Sequence, residues 1–443
     1  MTYLMTRRLS LVAAVLCVTS AASVPAAAQT AADTLTSSFS VDGIPVILRR
    51  NVSNNVVAAN VYLLGGLRQV TRANAGIEPF LLTVSERGTL NYPKAVLRRK
   101  TSLLGSEFVV APSVDWTLFG ARTITSVLDS TWAIFADRLM HPAIQPAEVE
   151  LVRAQALSAV RQERDDPDQL ASDLADSVAF VGHPYATPIT GTEESLRAIT
   201  AADLRVYEQS QIVKSRLLVV VVGNVTRPHL EALIHQTLGK LPAGTYKWTL
   251  PAPMPVTPTS SVVVQRDLPT NYILGYFAGP LASSPDYTAL RVAATVLTGQ
   301  MFAEIRGRQN LTYDVHAPFL ERAASVSGLY VTTVAPDTTL KLMRSFTKQL
   351  KQEIVTDEGL DRLELQFITQ YFLDNETNGS QADFLARSQL YQGDYRHAAR
   401  FVAELKSVTP EAVQAAARKY VKNFHWAYVG DTTKVSRQLL ESF

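Results

Sequence analysis

The chain has 443 residues, which is enough for two or more domains with buried cores of their own. Its hydrophobic fraction of 47% is typical of globular proteins and argues against a disordered chain. A formal net charge of +2 gives no electrostatic reason for binding nucleic acid or anionic membranes.

The first 28 residues have the pattern of a secretory signal peptide. Arg7 and Arg8 precede an apolar run over residues 9–22, and small residues follow up to Ala28. This pattern predicts cleavage near Ala28 and a periplasmic or secreted protein, by the general secretory or the twin-arginine route; a buried N-terminal helix is the alternative. The single cysteine, Cys17, lies in the apolar run, so the mature chain would form no disulfide. No later stretch has the ~20 apolar residues that a membrane span needs.

The next part of the chain combines strand patterns with helix signals. Apolar runs predict strands at 44–50, 56–64, 108–111, 117–120 and 217–222. Apolar residues at helical spacing predict a helix over 146–164, which begins at a proline and ends before Asp166. Thr200 and Asp203 form a capping-box pattern that predicts the start of a further helix.

A proline-rich segment then divides the chain. Four prolines lie between positions 251 and 258, and proline both fixes φ and lacks a backbone N–H, so this segment predicts an extended linker. The predicted organisation is a signal peptide at 1–28, a first domain at 29–249, a linker at 250–261 and a second domain at 262–443.

The second half repeats the pattern of the first. Strands are predicted at 261–265, 272–276 and 426–429, and helices at 287–297 and 338–355. Thr409 and Pro410 open another helix, as Thr200 does in the first half, and both helices precede an apolar strand closed by glycine, Gly223 or Gly430. The repeat predicts an α+β fold of two homologous domains, each a mainly antiparallel sheet with helices packed on one face, joined by the proline-rich linker.

Several segments resemble the insulinase/pitrilysin metallopeptidase family, which includes mitochondrial-processing-peptidase-like members. They are residues 76–89, which read Gly-Ile-Glu-Pro-Phe-Leu-Leu-Thr-Val-Ser-Glu-Arg-Gly-Thr, residues 182–185, 191–203 and 301–315. The resemblance covers nearly all of the mature chain. It implies the two-domain α+β fold and a zinc site built on His-x-x-Glu-His with a distant glutamate.

The positions that correspond to this zinc motif hold the wrong residues. Pro79, Leu82 and Thr83 stand where the family has His, Glu and His, and the third ligand position falls at Ser158 or Ala159. Zinc in a catalytic site needs about three N, O or S ligands, and no two of the 7 histidines have a spacing that would place them together on one helix turn. We therefore expect no metal site in this chain.

Other polar residues near these segments have simpler interpretations. His183 is expected to be structural, and Glu78 and Glu86, which flank the lost motif, are expected to be solvated charges on the face of a helix. No Gly-x-Ser-x-Gly elbow is present, so a serine nucleophile is not indicated.

Residues 301–315 keep a second family feature. Arg306 and Tyr313 match the Arg and Tyr that, in the family, lie across a closed chamber from the zinc and help to hold the substrate. Guanidinium and phenol groups are hydrogen-bond donors that can grip the carbonyl oxygens of an extended peptide. The alternative is a helix-end charge and a strand aromatic without a role in binding. A glycine-rich loop that often precedes the Arg in non-catalytic family members is missing, because residues 295–300 contain one glycine.

Together these features predict a zinc-less subunit of a heterodimeric metallopeptidase. Its homologous partner would carry the zinc motif, and Arg306 and Tyr313 would hold the peptide substrate in a composite chamber. The alternatives are a structural or peptide-binding scaffold without a peptidase role, and an autonomous hydrolase that works without metal.

Overall fold

The computed structural model describes residues 35–443, so the predicted signal peptide and Cys17 lie outside the described residues. The first sheet has six strands: β1 (Thr36–Val41), β2 (Ile44–Arg50), β3 (Val56–Leu64), β4 (Glu107–Pro112), β5 (Trp116–Ile124) and β6 (Leu217–Gly223). The second sheet is formed by β7 (Ser260–Gln265), β8 (Asn271–Leu281), β9 (Val315–His316), β10 (Phe319–Leu320), β11 (Ala324–Thr333) and β12 (His425–Gly430).

Fifteen α-helices are found among the described residues. Those of the first half are α1 (Ile77–Val84), α2 (Lys94–Leu104), α3 (Leu128–Met140), α4 (Pro146–Asp165), α5 (Pro167–Ala179), α6 (Glu193–Ala198), α7 (Ala201–Gln211) and α8 (Arg227–Gln236). Those of the second half are α9 (Asp286–Met301), α10 (Pro336–Gln352), α11 (Asp357–Asp374), α12 (Asn378–Gln392), α13 (His397–Lys406), α14 (Pro410–Tyr420) and α15 (Arg437–Glu441). None of these helices is long and apolar enough to cross a membrane.

The two sheets share one topology. The strand orders are β1-β2-β6-β3-β5-β4 and β10-β11-β8-β12-β7, with β9 paired to β11. In the first half the last strand, β6, lies between β2 and β3; it is parallel to β2 and antiparallel to β3. In the second half the last strand, β12, lies between β7 and β8; it is parallel to β7 and antiparallel to β8. All remaining pairs are antiparallel. The predicted α+β class with two similar halves is thus confirmed. Each sheet is a mixed sheet, because it contains one pair of parallel strands.

Each sheet has helices on both faces, and one of these helices comes from the other half. On the first face lie helices of the same half, which bury residues such as Trp132 in the first core and Leu340 in the second. On the second face, α5 of the first half packs on β8 and β12, and α12 of the second half packs on β3 and β6. We expected helices on one face of each sheet. This holds for the helices of the same half, but the second face is covered by a helix from the other half.

The proline-rich linker is packed rather than free. Residues 242–259 have no regular secondary structure, but Met254 is 1% exposed and contacts the cluster formed by α5 and the second sheet. Trp248 donates from its ring N–H to the carbonyl of Leu390, at 2.8 Å. The strand that follows begins at Ser260, so the last two residues of the predicted linker belong to β7.

The capping box predicted at Thr200 is present. The Thr200 hydroxyl oxygen accepts from the Asp203 N–H at 3.1 Å, and the Asp203 carboxylate accepts from the Thr200 N–H at 2.8 Å. Replacing Thr200 with alanine removes one acceptor from the start of α7 and is expected to lower the free energy of unfolding by ~1 kcal/mol. Urea denaturation measures this change; Thr200→Ser, which keeps the oxygen, should stay near the parent value. Equal stability of the alanine variant and the parent would contradict this role of the cap.

Candidate functional site

Helix α1 carries the three degenerate zinc-motif positions. It begins after Gly76, which has a φ of 83° and approaches Thr190 so closely that a Cβ would lie 2.5 Å from the Thr190 carbonyl oxygen. Glycine is therefore required at this start. Pro79 is tolerated because it sits in the first turn, where its missing N–H would have no helical partner.

Pro79 and Thr83 lie four residues apart and so share one face of α1. This face and α4 enclose an apolar pocket of about 260 Å³, in which Ala159 is the nearest match to the third ligand position. Leu82 does not line the pocket, because it is 1% exposed and belongs to the core. Ser158 is exposed and also lies outside the pocket. The structure thus brings together Pro79, Thr83 and Ala159.

The residues of this pocket do not fit a zinc ion. Pro79 and Ala159 offer no ligand atom, and the Thr83 hydroxyl donates to the Pro79 carbonyl oxygen at 2.8 Å. Within residues 35–443 no group of three or more His, Cys, Asp or Glu side chains is arranged to hold a metal ion. Zinc sites in proteins use about four N, O or S ligands, of which three come from the protein in catalytic sites.

The histidines are occupied elsewhere in the fold. His229 pairs with Asp129 and His235 with Asp42, each at 2.7 Å between the imidazole nitrogen and the carboxylate oxygen. His183 is 8% exposed and bridges the first half and the linker, since one ring nitrogen accepts from the Tyr185 N–H and the other lies 3.1 Å from the Ala252 carbonyl oxygen. Burial lowers the pKa of His183, so this residue is a neutral structural bridge.

The expectation for Glu78 was wrong. Glu78 is 4% exposed and forms an ion pair of 2.9 Å with the buried Arg216, and the Tyr207 hydroxyl donates to the same carboxylate at 2.9 Å. The Arg216 Nε also donates to the Leu64 carbonyl at 2.7 Å. Glu78 precedes Pro79 on α1, and its partner precedes the buried strand β6, so the contact depends on two segments far apart in sequence. Glu86, by contrast, is 45% exposed and lies 3.2 Å from Arg138.

Arg306 and Tyr313 are adjacent in the structure. The Arg306 guanidinium carbon lies 4.8 Å from the centre of the Tyr313 ring and 4.9 Å from the centre of the Phe302 ring. Tyr313 is 81% exposed and Phe302 is 47% exposed. Cation–π contacts fix the plane of the guanidinium without using its N–H donors. Among the described residues, Arg306 makes no hydrogen bond or ion pair.

A local change in helix geometry places this pair. Helix α9 continues into a π-helix over Phe302–Arg308, in which the Gln309 N–H bonds to the Glu304 carbonyl five residues earlier at 2.9 Å. Such wider turns are rare and are found frequently at functional sites. Residues 295–300, where a glycine-rich loop would lie, belong to α9 instead.

Strand β4 supplies a second feature beside the degenerate pocket. It is the edge of the first sheet and packs against α1. Within residues 35–443 only β5 pairs with β4. Unpaired N–H and C=O groups at a sheet edge can take up an added extended peptide. Arg306 and Tyr313 do not line the pocket between α1 and α4, whose lining residues all come from the first half.

Two parts of the sequence match one peptidase family. Residues 45–193 match the family described as Insulinase (Peptidase family M16), and residues 198–367 match the Peptidase M16 inactive domain. Both halves of the fold contain matched residues, and residues 368–443 lie outside the two matches.

Individual relatives agree with this match. An uncharacterized zinc protease of Mycobacterium leprae is 24% identical over 404 residues, which cover 87% of this chain and 89% of that protein. The beta subunit of the mitochondrial-processing peptidase of Blastocladiella emersonii is 25% identical over 256 residues, covering 58% of this chain and 55% of that protein. The crystal structure of a peptidase M16 inactive domain from Pseudomonas fluorescens shares the fold, with a TM-score of 0.81, 20% identity and coverage of 90% of this chain and 98% of that one.

Proposed function

We propose that this chain, a member of the insulinase family (peptidase family M16), is the zinc-less subunit of a heterodimeric metallopeptidase. A homologous partner chain carries the zinc motif and performs hydrolysis. This chain contributes Arg306 and Tyr313, which hold the peptide substrate in a chamber formed by the two subunits. The expected site of action is the periplasm or the exterior of the cell, as the N-terminal pattern suggests.

The proposal rests on the difference between the zinc-motif positions and the surroundings of Arg306. The positions of the zinc motif have become an apolar pocket whose hydroxyl, on Thr83, is bonded within its own helix. The Arg306 guanidinium instead lies between two partly exposed rings with its donors unused. Guanidinium donors that no protein group uses are available to bond the carbonyl oxygens of a peptide, as a substrate-holding subunit requires.

The chemistry of peptide cleavage explains what such a pair contributes. Hydrogen bonds from Arg306 and Tyr313 to peptide carbonyls would hold the scissile bond at the geometry of attack. Donors that tighten as a carbonyl becomes tetrahedral stabilise the transition state more than the ground state and so raise kcat. The named relatives include a zinc protease and a subunit of a processing peptidase, which supports this division of labour.

Reconstitution tests the proposal. The chain is expressed alone, and also together with a homologue from the same genome that carries His-x-x-Glu-His. The pair is expected to copurify at one to one and to cleave a mixture of unstructured peptides, and a chelator should stop the cleavage. A chain that neither binds nor activates such a homologue would support the scaffold alternative. Peptidase activity of the chain alone in the presence of chelator would support an autonomous hydrolase.

Zinc content gives an independent prediction for the pocket. After incubation with zinc and desalting, the chain alone should retain far less than one zinc per molecule by mass spectrometry of the metal. The variant with Pro79→His, Thr83→His and Ala159→Glu restores three ligands on the face that lines the pocket, and we expect it to retain about one zinc. Stoichiometric zinc in the parent chain would contradict the proposal.

A further inference from the structure

A groove beside the second sheet is lined mainly by apolar atoms. It has a volume of about 510 Å³ and lies between linker residues 253–256 and residues 278–281 at the end of β8. Residues between the end of α14 and the start of β12 form its remaining side. Volumes of roughly 300–1,000 Å³ are usual for sites that bind small molecules. The groove therefore has the size and the apolar lining of a ligand site.

Strand pairing and proline explain why this space stays open. β12 pairs with β8 only up to Tyr276, so residues 277–281 of β8 extend past β12. Pro253 and Pro255 of the linker and Pro280 of β8 have no N–H. The linker therefore cannot take the place of β12 as a paired strand at these positions. A bound peptide would meet the same lack of donors, whereas a hydrocarbon chain needs none.

The polar groups of the groove carry a surplus of positive charge. Lys419 pairs with Asp286 at 2.6 Å, and the Tyr420 hydroxyl donates to the same carboxylate at 2.8 Å. Lys422 has no ion pair with any described residue, and no carboxylate lines the groove. The charge of Lys422 also reaches Lys351, whose pKa is lowered first by burial and then by Lys422. An anionic group of a ligand would therefore be stabilised beside Lys422.

Neutral donors line the same groove. The Ser283 hydroxyl and the Asn423 side-chain amide make no hydrogen bond with another described residue. Asn423 has a φ of 54°, in the left-handed region that Asn adopts more readily than most residues, and it joins α14 to β12. His425 is already occupied, because burial lowers its pKa and one ring nitrogen lies 2.8 Å from the Ser260 hydroxyl oxygen. The groups available to an anionic head group are thus Lys422, Asn423 and Ser283.

We propose that this groove binds an aliphatic monocarboxylate, such as a medium-chain fatty acid. The hydrocarbon chain lies against Val256 and Leu281, and its removal from water supplies most of the affinity. The carboxylate bonds to the Lys422 ammonium group, with Asn423 and Ser283 as neutral donors. The groove shares no residue with the zinc-motif positions or with the proposed substrate-holding pair. The proposal therefore stands or falls separately from the subunit role.

Isothermal titration calorimetry on the full chain tests the proposal. The probes are octanoate and decanoate, each below the concentration at which it forms micelles. Decanoate is expected to bind one to one and about tenfold more tightly than octanoate, because two more methylene groups leave water. Equal affinity for the two acids, or no binding of decanoate, would overturn the proposal.

Two further probes examine the head group. Decylamine has the same chain with a positive charge, and it should bind at least about tenfold more weakly than decanoate because it meets Lys422. An affinity of decylamine equal to that of decanoate would contradict the role of the cation. Tighter binding of decyl phosphate than of decanoate would overturn the choice of a carboxylate.

An exposed position of the linker locates the site. Val256 is 75% exposed, so Val256→Glu should leave the fold intact while it places a carboxylate in the groove. We expect it to weaken decanoate binding at least about tenfold. Val206→Glu is the matched control, because Val206 is 65% exposed on α7 and does not line the groove. Equal losses in both variants would mean unspecific adsorption and no groove site.

Removal of the unpaired cation separates the head group from the chain. Lys422→Ala should weaken decanoate binding about tenfold and leave the affinity for uncharged decanol unchanged. Lys341→Ala removes a charge at an exposed position in α10 and should change neither affinity. Parent-like binding of decanoate by Lys422→Ala would overturn the assignment of the head group.

The remaining alternative is a second copy of the chain seated in the groove. Sedimentation velocity without ligand distinguishes the two occupants, and the parent chain alone and Val256→Glu are expected to sediment alike. A dimer of the parent chain that Val256→Glu dissociates would overturn the proposal of a small ligand.

Discussion

Arg306→Ala is expected to lower the kcat of the reconstituted heterodimer about a hundredfold, with the zinc content of the partner unchanged. Loss of one preorganised donor to a developing oxyanion has effects of this size. The side chain is 4.8 Å from the Tyr313 ring and 4.9 Å from the Phe302 ring, so its position does not depend on the substrate. Steady-state kinetics on a single labelled peptide measures the change.

Two further substitutions separate the contribution of the Tyr313 hydroxyl from that of the planar Arg306 guanidinium. Tyr313→Phe keeps the ring beside Arg306 and removes only the hydroxyl, so we expect a smaller loss of about tenfold in kcat. Arg306→Lys keeps the charge but loses the planar group with its several donors, and should not restore full activity. These losses should appear without any change in the dissociation constant of the dimer.

The matched control for Arg306 lies two residues further along the chain. Arg308 belongs to the same π-helical segment, is largely exposed and pairs with Glu304 at 2.6 Å. Arg308→Ala should leave kcat within about a factor of two, because a surface ion pair contributes little. An unchanged kcat in both Arg306→Ala and Tyr313→Phe would contradict the proposed role of this pair in holding the substrate.

Asp115→Ala is expected to lower the free energy of unfolding by about 3 kcal/mol. Asp115 is fully buried, and its carboxylate accepts from the Tyr391 hydroxyl at 2.9 Å, the Ala323 N–H at 2.9 Å and the Tyr185 hydroxyl. Tyr391 and Ala323 belong to the second half, so one side chain joins the two halves. Removal of the carboxylate takes the acceptor from three buried donors, of which the Tyr391 hydroxyl keeps only a long contact of 3.4 Å to the Glu321 carbonyl oxygen. A buried donor without an acceptor costs about 1–3 kcal/mol before relaxation.

Tyr185 and Tyr391 can both donate to the Asp115 carboxylate at neutral pH. Burial, and then the adjacent Asp115 carboxylate, raises the pKa of both Tyr185 and Tyr391 well above its ordinary value. Both hydroxyls therefore stay protonated and can donate. Tyr391→Phe removes one donor and leaves two, so its expected cost is about 1–2 kcal/mol, smaller than that of Asp115→Ala.

Chemical denaturation followed by tryptophan fluorescence measures both variants. Asp129→Ala is the control, because Asp129 is 69% exposed and pairs only with the surface residue His229. It should change stability by less than about 0.5 kcal/mol. Asp115→Ala should also make the transition less cooperative, since the bridge between the halves is gone. A change no larger than that of the control would mean that Asp115 does not join the halves.

Much of the fold could be predicted from local patterns. The run that became β6 is apolar at every position and is buried at every position, because helices cover both faces of the sheet. The proline that opens α4 and the capping box at Thr200 gave the starts of two helices. Several helices were not predicted, among them α2, α3, α11, α12 and α13. α12 opens with Asn-Gly-Ser, residues that do not favour a helix interior, and it packs on the first sheet.

Within the candidate sites, sequence identified residues but not surroundings. The change of Pro79, Leu82 and Thr83 away from metal ligands is a statement about residue types, and no structure is needed to make it. Only the structure shows that Pro79 and Thr83 face a pocket with Ala159 while Leu82 lies in the core. Only the structure shows that Glu78 is buried, because its ion-pair partner, Arg216, lies more than a hundred positions later in the chain.

The sequence by itself determined the α+β class, the repeat of two halves and the absence of ligand residues at the zinc-motif positions. These depend on the period of apolar residues and on side-chain chemistry, both of which are local. The tertiary structure decided that each half lends a helix to the other half's sheet, that Asp115 joins the halves and that the linker and the end of β8 form an apolar groove. These depend on contacts between residues far apart in the chain, and burial and charge balance at such contacts are fixed only when the chain has folded.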